Sequence, residues 1–254
     1  MTMYNRNGEQ SSLAKFAVIT DIHGNAPALE GVLQDISARG IGRIVCLGDT
    51  VGIGPDSDRV LELLAAWPDI ALISGNHDLA LVAAARKEPP PPGNAAERAH
   101  HEWLAGRIKP EYVEWISGWP MTHMELIGDI RMLFTHYHSG SNEHELFAPV
   151  DVRPSLADLE RRYAQNGYGL VAFGHHHVVH HFVSPSTVYF NPGALGCPHG
   201  PEPVARYGIA SINDGRIQTE LIEIPYDNGA FLRSYAELEV PDREAILRIF
   251  HGVE

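Results

Sequence analysis

Five short runs of apolar residues constrain the fold of this chain more than any other sequence feature. Each ends at a polar or glycine-containing turn and fits the length of a buried strand. The runs are Phe16–Thr20, Ile44–Leu47, Ala71–Ser74, Met132–Thr135 and Leu170–Phe173. Apolar residues at helical spacing separate the first three runs, around residues 29–36 and 60–64. The order β-α-β-α-β predicts an α/β fold.

Local signals mark the helix ends and a second group of strands. Gly40 is placed to cap the first helix, and the second helix is expected to begin at Asp56 or Ser57. Asn213-Asp214-Gly215 predicts a hairpin between the last two of three later strand-like runs. These runs are Thr187–Phe190, Tyr207–Ile212 and Ile217–Ile224. We expect them to form a second, more antiparallel sheet, packed on the first with helices outside.

A proline-rich connection and a tryptophan-rich segment interrupt this alternation. Residues 88–94 read EPPPPGN, which cannot continue a helix. Residues 95–119 predict two short helices broken near Lys109 and Pro110, which we interpret as a helical cap inserted at about residues 80–120. Residues 1–254 are expected to form a single domain, with a further helix over residues 240–250.

Charge and composition limit the class of partner and the location. The formal net charge of −13 and the absence of a Lys/Arg-rich stretch argue against nucleic acid as a partner. Two bound divalent cations would reverse the electric field locally, so a small anionic substrate is compatible with the negative net charge.

Cys46 and Cys197 suggest neither a disulfide nor a cysteine-based zinc site. Residues 1–12 lack the apolar stretch of a secretory signal, and no run approaches the roughly 20 apolar residues of a membrane span. We therefore expect a cytoplasmic protein with no membrane partner.

Side chains that bind metals follow all five of the first predicted strands. They are Asp21, His23, Asp49, Asn76, His136, His175 and His177. The carboxyl ends of strands are where α/β sheets place ligand sites, and neighbouring strands lie only about 4.8 Å apart. We expect these side chains to converge. Carboxylate, imidazole and amide donors without thiolate suit Mn²⁺, Fe, Co²⁺, Ni²⁺ or Zn²⁺.

The ordered blocks DIH, GD, GNHD, a strand-end histidine and GHHH resemble the calcineurin-like metallophosphoesterase superfamily over residues 21–177. The segments HGNAPALEGVL, LGDTVGIGP, SGNHD and YFNPGALG are most similar to its small bacterial phosphodiesterase-like branch. The resemblance implies a four-layer α/β-β/α sandwich of two mixed sheets flanked by helices.

The resemblance also implies two divalent transition-metal ions. Asp21, His23 and His177 would hold one ion, and Asn76, His136 and His175 would hold the other. Asp49 would bridge both, because a carboxylate has two oxygens and can span metals about 3.5–4 Å apart.

His77 is the predicted catalytic residue, because it follows the ligand Asn76 and can face a bound phosphate. The resemblance implies that it stabilises the transition state or protonates the leaving group. Asp78 is expected to orient it.

Two choices among neighbouring histidines remain. His136 is preferred over His138 as a ligand because the predicted strand ends immediately before it. His176 is expected to face away from the metals, since side chains alternate along a β-like segment.

The favoured function is in-line hydrolysis of a small phosphodiester or nucleotide-type phosphate ester by a metal-bridging hydroxide. Protein Ser/Thr phosphatases of the superfamily carry GD-x-x-DRG, whereas this chain reads GDTVGIG and lacks that Asp and Arg. Protein phosphatase or phosphomonoesterase activity stays an alternative, as does a catalytically silent metal-binding scaffold, against which the presence of His77 speaks. In the predicted cap, His100, His101 and Arg107 either contact the substrate or pack helices.

Overall fold

A computed structural model describes residues 14–91, 97–136, 153–163 and 166–253. Its strands are β1 (Ala14–Ile19), β2 (Arg43–Cys46), β3 (Asp69–Leu72), β4 (Thr122–Ile127), β5 (Ile130–Thr135), β6 (Leu170–Phe173), β7 (Val179–Val183), β8 (Val188–Pro192), β9 (Val204–Asn213) and β10 (Arg216–Pro225). Its helices are α1 (Ala26–Ala38), α2 (Ser57–Ala65), α3 (Asn76–Arg86), α4 (Arg98–Ala105), α5 (Pro110–Ser117), α6 (Leu156–Tyr163), α7 (Gly229–Glu237) and α8 (Arg243–His251). Every predicted strand and helix overlaps one of these elements.

The predicted helix ends are confirmed. After α1, Gly40 has a left-handed φ of 67°, which a glycine adopts without steric cost. Asp56 is the N-cap residue of α2, which begins at Ser57.

The first sheet has the strand order β10-β9-β1-β2-β3. Parallel pairing joins β1 to β2 and β2 to β3, with Val18 opposite Val45 in the first of these pairs. On the other side of β1, β9 pairs antiparallel, with Ala17 opposite Ile209. The β9–β10 hairpin turns at Asp214 and Gly215, which both have positive φ. The hairpin prediction is confirmed.

The expectation that β9 and β10 belong to the second sheet is wrong. Alternate side chains of β9 are buried on opposite faces, so that Ala210 packs between the two sheets and Tyr207 packs beside α1. A strand buried on both faces fits beside β1, where helices cover the outer side. The turn sequence predicts that β9 pairs with β10, but it does not predict which of the two sheets contains this pair.

The second sheet has the order β4-β5-β6-β8-β7. The β5–β6 and β6–β8 pairs are parallel, and the edge strands β4 and β7 pair antiparallel with β5 and β8. Both sheets are therefore mixed.

Three apolar clusters separate four layers. One cluster includes Ala17 and Ile19 and lies between the first sheet and helices α1 and α2. The second includes Phe16 and Val18 and fills the space between the sheets. The third includes Phe173 and joins the second sheet to α6. Because successive strand side chains alternate, β1 contributes to two clusters. The predicted four-layer sandwich is confirmed.

Helices α3, α4 and α5 pack together through a separate apolar cluster that includes Leu81, Leu104 and Ile116. Pro110 is the first residue of α5, where its missing N–H leaves no hydrogen bond unmade. The predicted break between two helices is therefore confirmed, and we call α4 and α5 the cap helices. Residues 92–96, which belong to the predicted connection and cap, lie outside the described residues.

Within the described ranges, no helix combines the length and the apolar character that crossing a bilayer requires.

Candidate metal centre

The seven predicted ligands lie at the carboxyl ends of strands from both sheets, six of them in loops and Asn76 at the start of a helix. Asp21 and His23 follow β1, Asp49 follows β2, and Asn76 begins α3 after β3. The second sheet contributes three histidines, which follow β5 and β6: His136, His175 and His177. Packing the two sheets face to face brings these loops to one edge of the sandwich.

Most of these ligands have a strained backbone. Five of them have φ between 49° and 68°: Asp21, His23, Asp49, His175 and His177. The left-handed conformation costs a non-glycine residue about 1–2 kcal/mol. Hydrogen bonds between loops offset this cost, because the amide of Asp21 donates to Gly48 O at 3.0 Å and that of His23 to Asp49 O at 2.9 Å. Strain of this kind is characteristic of functional sites.

Asp78 holds the loop after β2 against the start of α3. Its Oδ2 accepts from the amides of Asp49 at 2.8 Å and Gly75 at 2.9 Å. Its Oδ1 accepts from the amide of Thr50 at 3.0 Å and from the Thr50 hydroxyl at 2.6 Å. The expectation that Asp78 orients the ring of His77 is wrong, since these oxygens position the backbone of Asp49.

Two motif glycines leave room for ligand side chains. A Cβ on Gly174 would overlap the hydroxyl of Thr20 and lie 3.1 Å from Oδ2 of Asp21. A Cβ on Gly75 would overlap the carboxylate of Asp49. Only glycine allows the backbone to come this close.

Asp21, His23 and His177 form the first donor cluster. The Nε2 atoms of His23 and His177 are 2.9 Å apart, and Oδ1 of Asp21 is 3.3 Å from Nε2 of His177. This Oδ1 is buried and accepts no hydrogen bond within the described part of the chain. Two atoms bound to one cation at about 2.0–2.1 Å are themselves about 3 Å apart. The cluster therefore has the spacing of a metal site.

Asn76, His136 and His175 form the second donor cluster. Oδ1 of Asn76 lies 3.2 Å from Nε2 of His136 and 3.1 Å from Nδ1 of His175. Burial lowers the pKa of His175 to about 3, so its imidazole is neutral and can offer a lone pair.

Asp49 lies between the two clusters. Its Oδ2 is 3.1 Å from Nε2 of His136 and 3.7 Å from Nε2 of His23, whereas its Oδ1 accepts from the amide of His77 at 2.8 Å. Oδ2 thus faces both clusters, and the expectation that Asp49 bridges two metals with its two oxygens stays a prediction. Ligand atoms of Asp49, His136 and His175 all lie within 4.8 Å of one another.

Hydrogen bonding sets His136 up as a ligand. Its Nδ1 donates to the carbonyl of Leu47 at 2.9 Å, so Nε2 is the nitrogen that faces Asn76 and Asp49 and offers a lone pair once its proton is lost. Burial lowers the pKa of His136, but the Asp49 carboxylate outweighs burial and raises it to about 9. The pocket holds positive charge strongly, and a cation can replace that proton.

His199 supports the first cluster and was not singled out from the sequence. Its Nδ1 lies 3.0 Å from the carbonyl of Ile249, and its Nε2 lies 2.7 Å from Nδ1 of His177. A carbonyl only accepts, so Nδ1 of His199 is the donor and Nε2 accepts from His177. Nε2 of His177 is then left with its lone pair toward the cluster. The sequence signal was one histidine in a Gly/Pro-rich loop.

The ring of His176 is directed away from the donor clusters, as expected. Its Nδ1 lies 3.2 Å from Nε2 of His180, and its ring packs edge-on against Phe173. The reason differs from the predicted one, because residues 175–177 form a turn with left-handed residues at both ends. His138 lies outside the described residues, so the choice of His136 over His138 stays a prediction.

His77 lies between the ligand loops and the cap helices. Its ring is buried and stands edge-on to the ring of His23, with centroids 5.0 Å apart. Its Nδ1 is 3.1 Å from Nε2 of His101, and its Nε2 is 3.7 Å from Oε2 of Glu97. His77 therefore borders both the donor clusters and α4.

The cap residues considered as substrate contacts have different positions. His101 reaches His77, whereas His100 is buried and stacks on Trp103 with centroids 5.9 Å apart. The guanidinium of Arg107 also lies over the ring of Trp103, 4.7 Å from its centroid. Glu97, which lies beside His77, was not singled out from the sequence because no motif includes it.

The family is established by comparison with known proteins. Residues 15–215 match the model of the calcineurin-like phosphoesterase superfamily domain. The chain belongs to this family, and it is a metallophosphoesterase, a hydrolase of phosphoric esters.

Individual relatives extend over most of the chain. It is 29% identical over 228 residues to an uncharacterized protein of Methanocaldococcus jannaschii, which covers 83% of this chain and 87% of that protein. Its fold is similar to that of the hypothetical protein PH1004 from Pyrococcus horikoshii OT3, with a TM-score of 0.77, 20% identity and coverage of 94% and 99% of the two chains. A metallophosphoesterase from Sphaerobacter thermophilus gives a TM-score of 0.70, 23% identity and coverage of 94% and 100%.

Proposed function

We propose that this protein hydrolyses phosphodiester or nucleotide-type phosphate esters at a dinuclear metal centre. The ligands are Asp21, His23, Asp49, Asn76, His136, His175 and His177, and the catalytic residue is His77. The observation that carries the proposal is the position of Oδ2 of Asp49 between the two donor clusters. A carboxylate oxygen facing two groups of neutral donors is what a pair of cations requires.

The chain and the metals have separate tasks. Two bound cations would supply positive charge for the phosphoryl oxygens and an activated water for in-line attack. The amide of His77 holds Oδ1 of Asp49, which keeps Oδ2 directed at the clusters. The ring of His77 borders the same space and can donate a hydrogen bond to a phosphoryl oxygen.

The loop after β2 favours a small diester over a phosphoprotein or a monoester. Gly52 and Ile53 stand where the protein phosphatase block has Asp and Arg. A Cβ on Gly52 would lie 2.7 Å from Nδ1 of His77, so a larger residue would displace that ring. Ile53 is buried in the apolar cluster that includes α7 and α8. Because residue 53 is isoleucine, this position supplies no guanidinium to pair with the second negative charge of a phosphomonoester.

The direct test compares metal-free with metal-loaded protein. Protein stripped with EDTA and reloaded with Mn²⁺ is assayed on bis-p-nitrophenyl phosphate, p-nitrophenyl phosphate, a phosphopeptide and a dinucleoside polyphosphate. We expect turnover only after reloading, with the highest kcat/KM on the diester or the dinucleotide. Equal turnover without metal would contradict the mechanism. A preference for the phosphopeptide or the monoester would contradict the substrate class.

Two adjacent histidines provide a matched pair of variants. His175→Ala removes a proposed ligand and is expected to leave one ion per chain instead of two, with most turnover lost. His176→Ala removes a ring that contacts His180 and Phe173, so both ions should remain. Plasma emission spectroscopy measures the number of ions bound per chain in each variant, and circular dichroism confirms that both variants are folded. Equal metal loss in both variants would refute the ligand assignment.

A further inference from the structure

We propose that His101, on cap helix α4, is a positioning residue that keeps the proton of His77 on Nε2. Nε2 of His101 donates to Nδ1 of His77, so that Nε2–H of His77 remains free to donate to a phosphoryl oxygen. This inference rests on the proposed function, because it assigns a role to a residue outside the metal centre in the same reaction.

The contact between the two rings is close and shielded from water. The nitrogens are 3.1 Å apart, the ring centroids are 5.1 Å apart, and the two residues are only 7% and 1% exposed. Gly52, which has no side chain, leaves the edge of the His77 ring open to this approach. Burial increases the strength of a hydrogen bond and the cost of losing it.

The surroundings decide which nitrogen donates. On the far side of the ring, Oε2 of Glu97 lies 3.7 Å from Nε2 of His77, and an ionised carboxylate only accepts. A proton on Nε2 of His77 is therefore favoured, and Nδ1 must then accept from His101.

The second ring nitrogen of His101 agrees with this direction. Nδ1 of His101 is buried and has no partner among the described residues. If His101 accepted from His77 instead, this Nδ1 would be a buried N–H without an acceptor, which is rarer and more costly than a buried lone pair. Burial lowers the pKa of His101 to about 3, so its ring is neutral and carries one proton only.

The cap helices hold His101 in place. His101 is on the same helix as Leu104, which packs with Leu81 of α3 in the apolar cluster of the cap. The amide of Lys109, just before α5, donates to Oδ1 of Asp58 in α2 at 3.1 Å. The cap thus contributes a fixed hydrogen-bond donor to the site.

Enzyme kinetics give the first part of the test. In the metal-loaded full chain, His101→Leu removes the donor and is expected to lower kcat on bis-p-nitrophenyl phosphate about 10- to 100-fold, with little change in KM. His101→Gln can present an amide N–H to His77 and should recover much of the loss. Leu104→Ala, a control on the same helix, should lower Tm but keep kcat near that of the wild type. Unchanged kcat in His101→Leu, or an equal loss in Leu104→Ala, would overturn the proposal.

NMR gives the second part, which does not depend on turnover. In zinc-loaded protein with ¹⁵N-labelled histidine, the ring signals of His77 are identified by their loss in His77→Gln. We expect the Nε2–H tautomer in the wild type and a mixed or reversed population in His101→Leu. An Nδ1–H tautomer in the wild type would refute the inference. Absence of metal-dependent turnover with the expected tautomer would instead refute the proposed function alone.

Discussion

At the residue scale, three of the proposed ligands depend on a neighbour that fixes their orientation or protonation. Asp78 holds the Asp49 loop, the Leu47 carbonyl fixes the proton of His136, and His199 fixes that of His177. These partners leave lone pairs directed at the space between the clusters.

His77→Ala tests the role of the catalytic histidine. The variant removes a ring that borders the centre but is not among the proposed ligands, so kcat should fall about 10²- to 10⁴-fold. Metal analysis should still find the wild-type metal content. Loss of metal would reassign His77 as a ligand, and unchanged kcat would remove it from the mechanism.

His199→Ala tests the support of His177. Without its acceptor, Nδ1–H of His177 loses the partner that sets the tautomer, and metal affinity should weaken about 10- to 100-fold. Competition with a chromophoric chelator measures this affinity. His181→Ala is the control, because His181 contacts Thr219 on β10 and no proposed ligand. An affinity equal to that of the control variant would rule out the support.

The sequence predicts the convergence of the proposed ligands better than it predicts the residues that support them. Asp21, Asp49 and Asn76 each follow a strand of one parallel set, so their convergence follows from strand order alone. His199 and His101 act through partners that are brought near by the packing of α8 and α4, and no local pattern encodes that packing.

At the element scale, the turn after β6 must pass directly against the loop after β1. Gly174→Ala places a methyl group against Thr20 and Asp21, and overpacking of this kind costs about 1–3 kcal/mol. The variant should show a lower Tm and weaker metal binding. Gly42→Ala is the control, since a Cβ there meets nothing within 4 Å. Equal Tm values for the two variants would contradict the described close approach.

Elements with alternating or continuous apolar patterns are predicted well, whereas the edge strands β4 and β7 of the second sheet are not. β4 carries Met124 and Leu126 on its exposed side, at 61% and 66% exposure, so its pattern does not separate an inner from an outer face. The β9–β10 hairpin joins the first sheet because both faces of β9 are buried by residues distant in the sequence. The sequence of the turn carries no information about these distant contacts.

At the scale of the whole molecule, buried neutral histidines make stability depend on pH. Burial lowers the pKa of His251 to about 4, below its ordinary value near 6.5. As the pH falls, His251 is therefore protonated in the unfolded chain before it is protonated in the folded protein. The free energy of unfolding decreases as a result between pH of about 6.5 and 4.

His251→Gln tests this dependence through the free energy of unfolding in urea. The wild type should lose on the order of 2–3 kcal/mol more than the variant between pH 7 and pH 4. Nε2 of His251 is 3.1 Å from the Tyr235 hydroxyl, so the variant loses some stability at pH 7 as well. Parallel pH profiles for the two proteins would contradict the buried, neutral state of His251.

The four layers serve the site by bringing loops from two sheets to one edge, where Asp49 lies between the donor clusters. The most direct measurement is a crystal structure of the Mn²⁺-loaded protein with anomalous diffraction at the manganese edge. We expect two anomalous peaks about 3.5–4 Å apart, both within bonding distance of the Asp49 carboxylate. A single peak, or two peaks that do not share Asp49, would contradict the proposed dinuclear centre.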